Sequence, residues 1–214
     1  MLNKILAIFC AATLWSGTAA AGVVFEQPAG PGSDSLRTSS TQPAIFSGPG
    51  FRAADNFTIA GGAIVTGINW WGKLPSSDAP FSPSFTFTFY DDSTGTPGSV
   101  LLSTTGSLTT SSASPGSPWD PLQFFSTDLD DVFSASAGAT YWLSIFDSAD
   151  EGWLWAGADE SGDGGLQRAN DSTSWEIPTK DLAFQLANGV PEPGTLALLG
   201  FGLAGLAALR RRKR

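Results

Sequence analysis

The sequence predicts an all-β protein. It reads as a single two-sheet β-sandwich, jelly-roll-like, with an N-terminal signal peptide before it and one short C-terminal transmembrane helix after it. Three observations carry the fold class. Between Gly22 and Asn188 no stretch repeats apolar residues at the spacing of a packed amphipathic helix. Apolar residues come instead in short runs that alternate with polar ones, the period of a half-buried strand. Segments rich in glycine, proline, serine and threonine separate these runs, and the chain holds 25 glycines and 14 prolines in 214 residues. That composition favours turns over helix interiors.

In chain order the strand candidates cover residues 54–59, 64–72, 85–89, 100–104, 122–127, 140–146, 153–156 and 182–186. The plainest is Phe85-Thr86-Phe87-Thr88-Phe89, which puts three phenylalanines on one face and threonines on the other. So many short strands in one unit of this size suggest two packed sheets. Asp91 to Gly98 reads as a turn. The low-complexity run 107–118 reads as a flexible loop. No internal repeat is present. The chain thus divides into a signal peptide at 1–21, a sandwich at 22–188 and a C-terminal segment at 189–214.

The formal charge of −9 arises from 11 basic and 20 acidic side chains, unevenly placed. Between Gly22 and Val190 only Arg37, Arg52, Lys73, Arg168 and Lys180 stand against 19 carboxylates, a net −14. Such a segment repels phosphate backbones, so nucleic acid is excluded as a partner. There is no histidine, which removes imidazole as a metal ligand, general base or triad member. The one cysteine, Cys10, lies within the signal peptide, so thiol catalysis and thiolate zinc sites are excluded as well.

At the N-terminus Lys4 precedes the apolar run Ile5 to Trp15, which ends in Ser16-Gly17-Thr18-Ala19-Ala20-Ala21. A cation, an apolar stretch and a small-x-small exit make a secretory signal peptide. Ala19 and Ala21 take the −3 and −1 positions, with cleavage after Ala21. Export by the Sec machinery follows.

At the other end Gly194 to Leu209 carries no charge and is followed by Arg210, Arg211, Arg212, Lys213 and Arg214. As a helix it spans ~24 Å, short of the ~30 Å hydrocarbon layer, and the flanking cations can snorkel to make up the difference. The basic cluster stays cytoplasmic, which places the domain outside. Before this helix Pro191-Glu192-Pro193 blocks helix and sheet and forms an extended, accessible peptide.

The order of tripeptide, short apolar helix and arginine cluster resembles the PEP-CTERM sorting signal of Gram-negative bacteria. The resemblance implies recognition by an exosortase, a membrane transpeptidase-like enzyme, and delivery to the cell surface or an exopolysaccharide matrix. The domain itself carries Ala54-Asp55-Asn56-Phe57, Ile68-Asn69-Trp70-Trp71-Gly72, Phe89-Tyr90-Asp91-Asp92, Thr96-Pro97-Gly98, Thr140-Tyr141-Trp142-Leu143-Ser144-Ile145 and Asp181-Leu182-Ala183-Phe184. That succession is similar to the ectodomain of many PEP-CTERM proteins, a likeness that implies no particular activity.

Seven tryptophans remain after signal removal. Trp70 and Trp71 are adjacent in a strand and face opposite sides, whereas Trp153 and Trp155 share a face. Rings on a sandwich surface stack on sugars, so Trp70, Trp71, Trp153 and Trp155 are candidates for a polysaccharide-binding face. The alternative is that they fill the core. Asp159, Ser161 and Asp163, followed by Gly164, resemble the start of an EF-hand calcium loop, but the twelfth position is Asn170 and neither flank is helical. A looser calcium loop stands there against an ordinary solvated acidic turn. No other cofactor is indicated.

The functional expectation is a non-enzymatic surface or matrix protein with affinity for polysaccharide. The alternative is a secreted glycoside hydrolase working through paired carboxylates.

Overall fold

Phe85, Phe87 and Phe89 are all buried in one core, as their alternation with threonine requires. The computed structural model describes residues 22–29, 36–41, 50–73, 83–112, 122–149, 152–159, 162, 164–169, 172 and 174–189. These fall in one unit, Ala21–Gly189. In chain order its strands are β1 (Gly22–Gln27), β2 (Leu36–Thr38), β3 (Phe51–Thr58), β4 (Ala63–Lys73), β5 (Phe85–Asp92), β6 (Pro97–Thr104), β7 (Gly106–Ser112), β8 (Gln123–Ala135), β9 (Thr140–Asp147), β10 (Leu154–Ala156), β11 (Leu166–Ala169), β12 (Ile177–Pro178) and β13 (Phe184–Asn188).

They form two sheets, and every pairing between these strands is antiparallel. The first sheet is centred on β4, which pairs with β8, β13 and β10; β7 continues from β8, β1 from β13 and β2 from β10. The second runs β12-β11-β3-β9-β5-β6. The all-β, two-sheet architecture read from the sequence is therefore present.

The inner faces meet in an aromatic core. Phe89 of β5 stacks on Phe133 of β8 across the two sheets, with ring centroids 4.2 Å apart and planes 6° from parallel. Trp70 stacks on its cross-strand partner Phe125 at 5.3 Å. Each fully buried aromatic or large aliphatic side chain contributes about 1.5–3 kcal/mol by leaving water. Gly72 makes room for this packing, because a Cβ there would sit 2.5 Å from the Trp153 indole nitrogen and 2.6 Å from the Leu154 carbonyl oxygen.

Two expectations change. Residues 106–112, expected within or beside a flexible loop, form β7 in unbroken register with β8. Its serines and threonines show no apolar alternation because β7 is an edge strand that pairs only with β8 among the described residues. The expected turn is also shorter. Asp91 and Asp92 extend β5, Pro97 opens β6, and the reversal is made at Thr94 and Gly95, with φ of 55° and 84°. Among the described residues no helix is long and apolar enough to cross a membrane. The expected signal peptide and the helix at 194–209 lie outside the described residues.

Candidate functional site

Trp70, Trp153 and Trp155 are fully buried, which corrects their assignment to a sugar-binding face. The inner face of the first sheet presents all three to the core. There Trp153 meets Phe85 edge-on at 5.1 Å, and the Trp155 indole donates to the Ala183 carbonyl oxygen at 2.9 Å. No sugar can stack on rings enclosed in this way. Trp71 lies on the opposite side of β4, half-buried beside Phe124 and packed against the cluster of Leu122, Ala156 and Ala183, and stands apart from the other three.

A second aromatic cluster lies on the outer side of the second sheet, where Tyr90, Trp142 and Phe146 are buried and Trp175 is half-buried. Alternation along β3, β5, β9 and β11 sends Ala53, Phe57, Phe89, Leu143 and Ile145 inward, and Arg52, Ala54, Tyr90, Trp142, Phe146, Leu166 and Arg168 outward. Trp175 packs against Ala54, Tyr90 and Trp142 in a small separate cluster, meeting the Tyr90 ring edge-on at 5.9 Å. The Trp142 indole donates to the Asp92 carboxylate at 2.9 Å.

Two cations complete this face. Arg52 lies 4.0 Å above the Phe146 ring, and Arg168 lies 4.6 Å from the Trp175 ring centroid. They are directly opposite each other in the β3–β11 register. Burial, and to a lesser degree the Arg168 charge, hold the Arg52 guanidinium below its ordinary range, while Tyr90 opposes the shift through its own charge and hydrogen bond. The Arg168 Nε atom is buried and has no hydrogen-bond partner among the described residues. Sequence reasoning missed this pair. The available signal was alternation in 52–57, which puts Arg52 on the face away from Phe57.

A second polar cluster lies between the sheets. Asp55, 1% exposed, points inward from β3. Its carboxylate accepts from the Leu182 backbone N–H at 2.5 Å, the Gln27 side-chain amide at 2.8 Å and the Asn56 N–H at 2.9 Å. Burial, with Asp181 nearby as a lesser cause, pushes the Asp55 carboxyl up to about 8 against the hydrogen bonds that favour its charged form. Asp181 is buried and accepts from the backbone N–H groups of Gly162 and Gly164.

The segment compared above with a calcium loop therefore turns backbone donors toward a carboxylate, the polarity of an anion cradle. Gly164 adopts φ of 84°, which suits glycine at this turn. Asp159 is exposed, and Ser161 and Asp163 lie outside the described residues. Among the described residues no group of three or more His, Cys, Asp or Glu is placed to hold a metal ion.

The sorting tripeptide Pro191-Glu192-Pro193, the basic cluster at 210–214 and the signal-cleavage residues Ala19 and Ala21 also lie outside the described residues. Comparison with known families matches residues 189–213 to the PEP-CTERM protein-sorting motif. The chain thus carries this motif, which destines it for exosortase-mediated sorting to the surface or matrix. No curated protein and no solved structure matches the chain.

Proposed function

We propose that the protein is a non-enzymatic component of the cell surface or exopolysaccharide matrix. It enters the Sec pathway through residues 1–21. The 194–209 helix and its basic cluster hold it at the membrane until an exosortase acts at Pro191-Glu192-Pro193, and it then engages polysaccharide through the outer face of the second sheet. The observation that carries this reading is the sorting motif at 189–213 on a chain whose remaining bulk is a β-sandwich. Frequent crossing of consecutive strands between the two sheets supports a jelly-roll-like arrangement.

Binding rather than hydrolysis is supported by the position of the three buried carboxylates among the described residues. Asp55, Asp147 and Asp181 are 1%, 0% and 4% exposed and closed to a substrate, whereas Trp175, Arg52 and Arg168 are half-buried over the buried rings of Tyr90, Trp142 and Phe146. The test is co-sedimentation of the full chain with matrix polysaccharide isolated from its host. The parent chain is expected in the pellet and the Trp175→Ala variant in the supernatant. Equal sedimentation of the two would remove this face from the proposal, and release of reducing sugar by the parent would favour the hydrolase.

A further inference from the structure

The outer face of the second sheet holds an electrostatic arrangement that the rest of the domain does not prepare for. With five cations against 19 carboxylates between Gly22 and Val190, each arginine has carboxylates to spare as partners. Arg52 and Arg168 are nevertheless placed opposite each other, and like charges directly opposed on neighbouring strands are destabilising. Among the described residues, the environment of Arg52 is set by burial, by Tyr90, which also hydrogen-bonds it, and by Arg168. Among the described residues the buried Nε–H of Arg168 has no acceptor. Both guanidinium groups lie against rings, Phe146 for one and Trp175 for the other, which limits their freedom to turn elsewhere.

Two opposed guanidinium groups held against rings, one hydrogen-bonded to Tyr90 and the other with an unpaired Nε–H among the described residues, match an anionic group attached to an apolar-faced body. A planar carboxylate accepts two parallel N–H bonds from one guanidinium, and the C–H face of a sugar ring stacks on an indole such as Trp175. The net charge of the domain narrows the choice further. At −14 it repels a dense polyanion at long range, so the anionic groups must be spaced by neutral units for the local attraction to prevail.

Resting on the polysaccharide-binding reading above, we infer that the ligand of this face is an acidic glycan in which uronate units are separated by neutral sugars. Its carboxylate is held between Arg52 and Arg168, and its ring lies against Trp175. The proposal involves recognition only, with no bond made or broken.

The test is calorimetric titration of the full chain in mild detergent with gellan oligosaccharides, in which single glucuronates are separated by runs of neutral sugars, and with the same oligosaccharides after reduction of their carboxyls to alcohols. The expected result is binding of the acidic form, weakened about tenfold or more by carboxyl reduction and by Arg168→Gln, since a charge-assisted hydrogen bond to a desolvated group is at stake. Near-ultraviolet circular dichroism should show Arg168→Gln to be folded. Arg168→Lys, which keeps the charge and loses the fork, should also bind more weakly. Equal affinity for the reduced oligosaccharides would overturn carboxylate recognition and leave polysaccharide binding standing. Affinity unchanged in both Arg168 variants would overturn the assignment to this face. Binding of neither form would overturn this inference, and failure to sediment with host polysaccharide would separately remove the broader reading.

Discussion

The Asp55 carboxylate accepts the backbone N–H of Leu182 at 2.5 Å across 127 residues of sequence, joining β3 of one sheet to the segment that leads into β13 of the other. Gln27, at the end of β1, donates to the same oxygen at 2.8 Å. One side chain thus links three separate parts of the chain at the sandwich interior.

This linkage has a pH dependence of definite sign. The Asp55 carboxyl is raised from an ordinary 3.8 to about 8 by burial, so between those values the folded chain holds a proton that the unfolded chain releases. The stabilising contribution of this group is complete below the lower value, is lost as pH rises through about 8 and is constant above that. Asp55→Asn, a neutral isostere, removes the dependence. Urea midpoints measured from about pH 5 to about pH 9 should fall more steeply for the parent than for Asp55→Asn, because only the parent must ionise this site. Parallel curves would show that Asp55 is not the group titrating.

Gly72 is expected to tolerate no side chain. The Trp153 indole and the Leu154 backbone both occupy the space that a Cβ would take, and the cost of forcing strand and indole apart is about 1–3 kcal/mol. Chemical denaturation of Gly72→Ala checks this. A variant as stable as the parent would mean that β4 and the Trp153 segment are farther apart than described.

Core and surface tryptophans should separate by phenotype. Trp155→Ala removes a fully buried ring and is expected to lose about 3–5 kcal/mol of stability. Trp175→Ala removes a half-buried ring together with one cation–ring contact of about 0.5–1 kcal/mol, so stability changes less while polysaccharide retention falls. Thermal melts paired with co-sedimentation decide this, and a Trp175→Ala variant that unfolds as readily as Trp155→Ala would contradict it.

Much of the interior was legible because it obeys one period. Phe85, Phe87 and Phe89 alternate with threonines and are core. Trp70 and Trp71 face opposite sides of β4, with Trp70 fully buried and Trp71 half-buried. Alternation does not say which face of a strand a second sheet will cover, and this is why it puts Trp153 and Trp155 on one face yet leaves core and sugar-binding surface both open for them. The Asp55–Leu182 link and the Arg52–Arg168 register join residues far apart in the chain, so no local spacing reveals them. Asp55 still left a trace, since alternation puts it on the same face as Ala53 and Phe57, where a carboxylate has to be hydrogen-bonded or neutral.

Strand β7 offers a test of a segment with no apolar pattern. Its pairing with β8 from Gly106↔Leu129 to Ser112↔Gln123 predicts that the amides bonded to β8 exchange slowly while those along the open edge exchange fast. Site-resolved hydrogen exchange over 106–112 should show this alternation. Uniformly fast exchange would return the segment to a loop.

Sorting is measured most directly by the intact mass of the protein recovered from its native host. The expected species, found in the surface or extracellular fraction, begins at Gly22 and has a new C-terminus at or near Pro191-Glu192-Pro193. Replacement of that tripeptide by alanines should leave the chain with its 194–209 segment in the membrane fraction. A parent protein recovered from the cytosol with Met1 and Arg214 both present would contradict the account.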